Sequence, residues 1–349
     1  MGNRRFPNLI LYVLVAAFIP LAVQAEPRHN IAIVQHQEFT PFRRAHDAFI
    51  QNLEILGKQG AYRIVDDFNA KSNIQDLEAK IKELCGRRDI DLVLTIGTHS
   101  TKRMVKAEKN KPIVFTIVGD PQNAGIVKNW KSSGANYTGV ETPEYYSKVV
   151  RLMHHFVAFK SLGMIYLKGS PSHEAGIHQI ANLSTELGFK FVHRGFPLRN
   201  ETGVPFPRDH IRSNMQSALQ AVCPQVEAFF VQTSNTFTKE FDLFLAAFLE
   251  HRIVSAGDPT NIKKGLVMGI GKDADRFGRQ CAQYAIKILD GTAPAALPMD
   301  VGVKLTVDVN LKAAEMIGYE PPFELISGAD NLYQEIFSDG MAAVAQSNR

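Results

Sequence analysis

Short runs of β-branched and apolar residues alternate along the chain with longer stretches in which apolar positions recur at helical spacing. The run IAIV at residues 31–34, for example, precedes a stretch with Phe49, Leu53 and Leu56 on one helical face. Strands that alternate with helices predict parallel sheets covered by helices on both faces. The predicted strands lie at residues 31–34, 62–66, 91–97, 112–118, 161–167, 189–194, 227–232, 252–257 and 265–271.

This number of strands fits two open sheets better than one. A Gly-, Thr- and Pro-rich segment at residues 134–146 marks the break between them, so we expect an α/β fold of two doubly wound parallel-sheet lobes. In such sheets a ligand lies beyond the carboxyl ends of the strands. The segments that follow the strands are rich in hydroxyl, amide and carboxylate side chains, although some of these serve simply as helix N-caps. They lie at residues 35–41, 97–101, 119–121, 168–174, 232–236, 257–260 and 271–273.

The first 25 residues have the pattern of a secretory signal peptide. Arg4 and Arg5 precede an apolar segment that is short for a membrane span and contains a proline, and small residues stand at Val23 and Ala25. We expect cleavage after Ala25; an uncleaved N-terminal anchor is the alternative. No later apolar run in the sequence is long enough to cross a bilayer.

The composition and net charge of the chain argue against a nucleic-acid partner. The 349 residues are 45% hydrophobic and 21% charged, which is ordinary for a globular protein. The formal net charge is +4, and the predicted signal supplies two of the positive charges, so the mature chain is near neutral. A nucleic-acid partner, which needs a clustered basic face, is therefore not expected. Cys85, Cys223 and Cys281 are widely spaced in the sequence. Two of them could form a disulfide and leave one free thiol, but the favoured interpretation is that all three are small buried hydrophobic residues.

Catalytic and cofactor patterns are weak in this chain. Gly269, Gly271 and Ala274 give G-x-G-x-x-A, but a dinucleotide site needs this loop after the first strand of its unit. It also needs an acidic residue at the end of the next strand, whereas Asp290 ends the same helix. No G-x-S-x-G or H-E-x-x-H motif occurs in the sequence. We therefore expect no catalytic residue, no metal and no cofactor.

Motifs spread over residues 30–318 resemble the substrate-binding proteins of ABC transporters, in a group that includes binders of tryptophan and phenylalanine. The most specific run is PIVFTIVGDPQNAGIV, followed by TGV. Further matching runs, in chain order, are IAIVQ, IDLVLTIGT, GMIYLKGSPSHEAG, FFVQTSNT, GLVMGIGKDADRFGRQ, AIKILDGTAPAALPMD and LTVDVNLKAAEMIG.

The resemblance implies a type I periplasmic-binding fold, in which two α/β lobes joined by a hinge of three crossovers close over a ligand. The expected first lobe contains residues 26–140 and 258–297, and the second contains residues 141–257 and 298–349. The implied function is periplasmic capture of a small organic ligand, aromatic or otherwise amino-acid-like. The implied partner is the membrane permease of an ABC transporter, and we expect the binding protein to be a monomer.

The resemblance also implies a set of ligand-binding residues. By motif position they are Thr98, Ser100, Thr116 and Asp120 on the first lobe, and Ser170, Thr233 and Asn235 on the second. Asp258 stands where the family often has an acidic residue that could meet a ligand amine.

Departures from the family pattern bear on the ligand and add three candidates. Phe39 begins a pair where relatives often have His-Pro, although Glu38 is kept. Ala274, which follows Asp273, stands where relatives often have an aromatic pair, and Ser234 replaces a usual Asp. Loss of aromatic rings removes stacking surface and could open room for a larger ligand. Two alternatives stay open: a carrier of a bulky apolar ligand such as a lipid or sterol, and a ligand-sensing partner of a membrane kinase.

Overall fold

The computed structural model describes residues 29–57, 60–300 and 304–337, so the predicted signal peptide at residues 1–25 lies outside the described residues. Two β-sheets, each covered by helices, form two lobes, which confirms the predicted α/β architecture. The first sheet consists of the parallel strands β1 (His29–Gln35), β2 (Tyr62–Asn69), β3 (Leu92–Ile96), β4 (Ile113–Thr116) and β5 (Tyr137–Val140). Their order across the sheet is β2-β1-β3-β4-β5.

The second sheet consists of β6 (Ser161–Leu167), β7 (Lys190–Phe196), β8 (Ala228–Val231), β9 (Val254–Gly257), β10 (Met268–Lys272), β11 (Leu305–Asn310) and β12 (Asn331–Tyr333). Its order is β12-β11-β10-β9-β8-β6-β7, and β11 runs antiparallel to β10. The expectation of purely parallel sheets is therefore wrong at this edge. The hydrophobic pattern also missed β5, β11 and β12, which are short or carry polar residues in alternation.

Helices cover both sheets. In chain order they are α1 (Thr40–Leu56), α2 (Ile74–Gly86), α3 (Thr98–Ala107), α4 (Tyr145–Val157), α5 (Pro171–Leu187), α6 (Arg208–Val222), α7 (Asn235–Lys239), α8 (Phe241–His251), α9 (Ala274–Leu289), α10 (Leu311–Ile317) and α11 (Phe323–Gly328). Several begin at side chains suited to capping. Asn73 accepts from the N–H groups of Gln75 and Asp76 at the start of α2, and Ser234 accepts from the N–H of Thr236 at the start of α7.

The phenylalanine stripe around α7 and α8 belongs to the core of the second lobe. Phe237, Phe241, Phe244 and Phe248 are almost fully buried and pack edge-on or tilted against one another. Burial of each such ring stabilises the fold by about 1.5–3 kcal/mol. Phe237 therefore lies in the core and does not reach the cleft.

The predicted lobe boundary at residue 258 is wrong. Strand β10 pairs in parallel with β9, so the chain stays in the second sheet until Lys272. Helix α9 then crosses to the first lobe and packs against α1. The approach is so close that a Cβ on Gly278 would lie 2.2 Å from the carbonyl oxygen of Ala45. The strand and helix of the GLVMGIGKDADRFGRQ segment thus belong to different lobes, which a strand-to-helix pattern cannot reveal.

Glu141 connects the crossing segments at the hinge. It follows β5, where the chain first leaves the first lobe, and its N–H donates to the carbonyl oxygen of Met299 at 3.0 Å. Its fully buried carboxylate forms an ion pair with Lys272, at the second crossing, and also accepts from the N–H of Val118. Burial raises the pKa of the Glu141 carboxyl, and the Lys272 ammonium opposes that rise. A buried charge pair therefore joins the segments on which the lobes turn.

The three cysteines are free thiols in the described structure. Cys223 and Cys281 are buried, as the interpretation of cysteines as small core residues requires, and burial raises the pKa of Cys223 to about 12. Within residues 29–57, 60–300 and 304–337, no helix combines the length and the apolar character needed to cross a bilayer.

Candidate ligand-binding cleft

The carboxyl ends of the two sheets face each other across a cleft that holds a cavity of about 360 Å³. The lobes touch around this cavity. The Asn235 side-chain amide donates to the carbonyl oxygen of Glu38 at 2.7 Å, and the Gln179 amide donates to Asp120 Oδ2 at 2.5 Å. A Cβ on Gly119 would lie 2.4 Å from Ser172 Cβ, so glycine is required there for this approach. The structure therefore represents the lobes closed on each other.

The N-terminus of α3 forms the centre of the first-lobe wall. Its N-cap, Gly97, has a φ of 90° and no side chain to satisfy the first-turn N–H groups. The Thr98 hydroxyl accepts instead from the N–H of Gly119 at 3.1 Å. Within the described chain, no acceptor takes the N–H groups of Thr98 and His99. Free N–H groups at the positive end of a helix dipole form a site for a carboxylate or another anion.

Two imidazoles flank this helix end. The rings of His36 and His99 both line the cavity, with centroids 4.7 Å apart. Burial lowers the pKa of His99 to about 4, and the positive charges of His36 and Arg103 add to this effect. Burial also lowers the pKa of His36, again with the help of Arg103. Both rings are neutral at neutral pH and can donate and accept hydrogen bonds without adding charge.

Aromatic rings complete the first wall and the hinge side of the cavity. Phe39 and Phe42 meet edge to face at 5.5 Å, and a Cβ on Gly97 would lie 2.5 Å from Phe42 Cζ. Tyr145 and Tyr146, at the start of α4, have ring centroids 5.1 Å apart. These rings offer apolar faces to a ligand side chain.

Asp258 is the central polar group of the second-lobe wall. Its carboxylate is 8% exposed, accepts from the Thr233 hydroxyl at 2.8 Å and accepts from the Thr260 N–H at 2.9 Å. The glycines of β10 make this position possible. A Cβ on Gly271 would lie 2.5 Å from the ring of Pro259, so glycine is needed for the Asp258-Pro259 turn to lie against the strand. The G-x-G pattern therefore serves close packing beneath the cleft.

Five of the candidates from the sequence line the cavity: Phe39, Thr98, Thr233, Asp258 and Asp273. Three others, Glu38, Asp120 and Asn235, lie outside the lining and form the contacts between lobes. Asp273 caps α9 by accepting from the N–H of Arg276.

Ser100, Thr116 and Ser170 do not line the cavity. Ser100 is fully buried in the first lobe, and the Thr116 hydroxyl donates to the carbonyl oxygen of Val140 within the sheet. Strand β4 ends at Thr116 because Ile117 adopts a φ of 52°, a strained conformation for a β-branched residue, and the chain presents Ile117 to the cavity instead. Ser170 is the N-cap of α5, and Ser172 reaches the cavity in its place.

Sequence reasoning missed several lining residues. Among them are Arg44, Tyr145, Asp308, Asn331 and Tyr333. The strand-end segments 35–41 and 271–273 contain two further lining residues, His36 after β1 and Lys272 at the end of β10. Asp308 lies within antiparallel β11, which no parallel-sheet pattern indicates.

Two side-chain patterns of catalytic sites are absent from the described residues. Among the described residues, no Ser, Thr or Cys side chain hydrogen-bonds to a histidine, as an activated nucleophile would. The same residues contain no cluster of three His, Cys, Asp or Glu side chains suited to a metal ion.

Known proteins that are similar to this chain include binding proteins for amino acids. A tyrosine-binding protein from Clostridioides difficile is 23% identical over 300 residues, covering 84% of this chain and 82% of that protein. A Streptococcus pneumonia ABC domain, solved in complex with L-Trp, superimposes with a TM-score of 0.74 at 19% identity, covering 87% of this chain and 99% of that one. A ligand-free, open substrate binding protein from Clostridium difficile matches with a TM-score of 0.67 at 21% identity, covering 88% and 100% of the two chains.

These structural matches confirm the type I periplasmic-binding fold. The model of the family described as ABC transporter substrate binding protein matches residues 30–331, which span the described lobes and the cleft between them. The chain therefore belongs to the ABC transporter substrate binding protein family.

Proposed function

We propose that this protein captures a free amino acid, or a close derivative, between its lobes and delivers it to the membrane permease of an ABC transporter. The observation that carries the proposal is the opposite polarity of the two walls of one cavity. Free N–H groups of α3 lie on the first wall, and the carboxylate of Asp258 lies on the second. An amino acid carries the two complementary groups on one carbon.

The α-carboxylate would bind at the α3 N-terminus, where Thr98 and His99 offer N–H groups. The α-ammonium would bind Asp258, whose oxygens are already oriented by Thr233 and Thr260. The aromatic rings of Phe39, Tyr145 and Tyr146 would pack on the side chain. The names of relatives that bind tyrosine and tryptophan support this class of ligand.

A lipid or sterol cargo fits the cavity less well. The lining of the cavity includes the carboxylates of Asp258, Asp273 and Asp308. A bulky apolar ligand would desolvate these groups without compensation, at a cost of several kcal/mol. Because any lipid or sterol that fills the cavity would incur this desolvation cost, the structure favours an amino-acid ligand.

Delivery to a permease implies export. We propose that residues 1–25 direct secretion, that the mature protein begins after Ala25 and acts as a monomer outside the inner membrane, and that it catalyses no reaction. N-terminal sequencing and sedimentation of the protein from an envelope fraction test the first parts of this proposal. An exported protein whose N-terminal sequence still begins at Met1 would contradict cleavage after Ala25.

The binding experiment is a thermal-shift screen of the proteinogenic amino acids, followed by calorimetric titration. A ligand at 100 times its Kd should stabilise the folded protein by about 2.7 kcal/mol. For the best ligand, two analogues serve as controls: the amine without the carboxylate, and the N-acetyl derivative without the ammonium. We expect neither analogue to shift the transition. Failure of every amino acid to do so would overturn the proposed function.

A further inference from the structure

The cavity contains more negative charge than one amino acid can neutralise. Asp258, Asp273 and Asp308 all line it, and none forms an ion pair with another described residue, although the Arg44 guanidinium acts on all three at longer range. Two cationic side chains also line the cavity, but each already forms an ion pair with another carboxylate. Arg44 forms a bidentate ion pair with Asp275, with N–O distances of 2.5–3.2 Å, and Lys272 forms an ion pair with Glu141. With His36 and His99 neutral, the cavity keeps an excess of negative charge at its second-lobe end.

Asp308 is the group that the proposed pose of an amino acid leaves without a partner. It is 6% exposed, and its Cβ lies above Gly269 of the neighbouring strand. Its Oδ1 accepts from the Asn331 side-chain amide at 2.8 Å, whereas Oδ2 accepts no hydrogen bond from any described residue. Burial, followed by the nearby charge of Asp330, raises the pKa of this carboxyl despite the opposing effects of Asn331 and Arg44. Oδ2 is not among the fully buried polar atoms that lack a partner, so it is open to the cavity, where a donor on a ligand can reach it.

The surroundings of Asp308 are polar and form one end of the cavity. Thr306 lies two residues before it on β11, and Asn331 and Tyr333 on β12 lie beside it. The Thr306 hydroxyl is held by the carbonyl oxygen of Gly271, and the Tyr333 hydroxyl has no hydrogen-bond partner in the described chain. The end of the cavity thus offers a carboxylate oxygen and hydroxyl groups to a ligand atom that can donate.

We propose that this β11–β12 end of the cavity binds a second positively charged nitrogen, so that the ligand is an amino acid with a cationic side chain. The inference rests on the proposed function and adds the class of side chain to it. Asp258 would take the α-ammonium and Asp308 the side-chain ammonium or guanidinium. The aliphatic stem would pass the rings of Tyr145 and Tyr146 at the hinge side of the cavity.

The experiment compares the dissociation constants of two matched pairs of ligands, lysine with norleucine and arginine with citrulline. Each ligand is titrated calorimetrically into the mature protein. Norleucine has no side-chain charge, and citrulline replaces the guanidinium by a neutral urea of nearly the same shape. We expect each cationic ligand to bind about 10- to 100-fold more tightly than its neutral partner, as a charge-assisted hydrogen bond in a buried site provides. Tyrosine and tryptophan enter the same series as the rival class of ligand.

The variant is Asp308→Asn, which keeps an oxygen for Asn331 and removes the charge. It should abolish the preference by weakening the binding of the cationic ligands without weakening that of norleucine, and it should not lower the melting temperature of the free protein. Asp330→Asn, which removes an adjacent charge that does not line the cavity, should keep the preference. Equal binding of the cationic and neutral partners, or a preference that survives Asp308→Asn, would overturn the inference while leaving amino-acid binding intact. No binding by any amino acid would overturn the proposed function and this inference together.

Discussion

The two walls of the cleft achieve polarity by different means. The first-lobe wall relies on backbone N–H groups at the start of α3, with Gly97 contributing no capping side chain and His36 and His99 held neutral. The second-lobe wall relies on side-chain carboxylates, of which Asp258 is fixed by two donors and Asp308 by one. The first wall combines helix N–H groups with an Arg44 guanidinium that is already paired with Asp275, and the other wall carries full negative charges.

This difference explains why closure should depend on a ligand. A carboxylate wall brought against a wall of helix N–H groups is attracted only weakly across a water-filled cavity, because solvent screens the charges. A ligand with both charge types bridges the walls and displaces the water. One direct contact between the lobes, Asn235 to Glu38, lies at the exposed rim, whereas the contact of Gln179 with Asp120 is partly buried. We therefore expect differential binding to the closed state to supply most of the free energy of closure.

The largest expected effect comes from breaking the buried ion pair between Lys272 and Glu141 at the hinge. Lys272→Met leaves the fully buried Glu141 carboxylate without its cation. Breaking a buried ion pair in this way costs about 3–5 kcal/mol, so the midpoint of urea unfolding should fall sharply. Ligand binding should also weaken, because the crossing segments lose the pair that joins them.

The control for the hinge prediction is the double variant Lys272→Met with Glu141→Gln. Glutamine can still accept from the N–H of Val118, and no charge remains buried. We expect the double variant to recover most of the lost stability. Equal instability of the single and double variants would mean that Lys272 acts through its packing on the ring of Tyr145 at 4.8 Å, and not through charge.

The sequence allowed the two-lobe architecture to be predicted, because buried parallel strands are near-continuous apolar runs that end in polar turns. The same rule identified the segments that contain Thr98, Thr233 and Asp258, and the family resemblance implied these three residues within them. It failed where pairing decides the outcome. Whether β10 joins one sheet or the other depends on its pairing with β9 and β11, and Asp308 lies on an antiparallel strand. The residues of a strand do not show which neighbours it will pair with.

The second prediction removes the charge at the centre of the carboxylate wall. Asp258→Asn keeps an acceptor for the Thr260 N–H but cannot form an ion pair with a ligand ammonium. A charge-assisted hydrogen bond contributes about 1.5–3 kcal/mol, so calorimetry should show a loss of about 10- to 150-fold in affinity. Asp290→Asn, at the distant end of α9, should bind normally. Unchanged affinity in Asp258→Asn would remove Asp258 from the site.

The third prediction tests the neutrality of the first wall. The pKa of His99 is lowered from 6.5 to about 4, so the unfolded state binds more protons between these values. The stability contributed by neutral His99 is therefore present above pH 6.5 and is lost as the pH falls toward 4. We expect His99→Gln to reduce the acid-induced loss of unfolding free energy by about 3 kcal/mol. His155→Gln, on an exposed ring, provides the control. An identical pH profile in His99→Gln and the natural protein would contradict the prediction.

The smallest expected effect concerns the direct contact between the walls. Asn235→Ala removes the side-chain amide that donates to the carbonyl oxygen of Glu38, a bond at the exposed rim that forms only when the lobes are closed. A bond of this kind contributes about 0.5–1.5 kcal/mol, so the dissociation rate of the ligand should rise by about 2- to 10-fold with little change in association. Stopped-flow measurement of both rates checks this. Asn129→Ala, outside the cleft on the first lobe, should leave both rates unchanged. If Asn235→Ala slowed association instead, the rim contact would act in forming the closed state, and the walls would attract each other before the ligand bridges them.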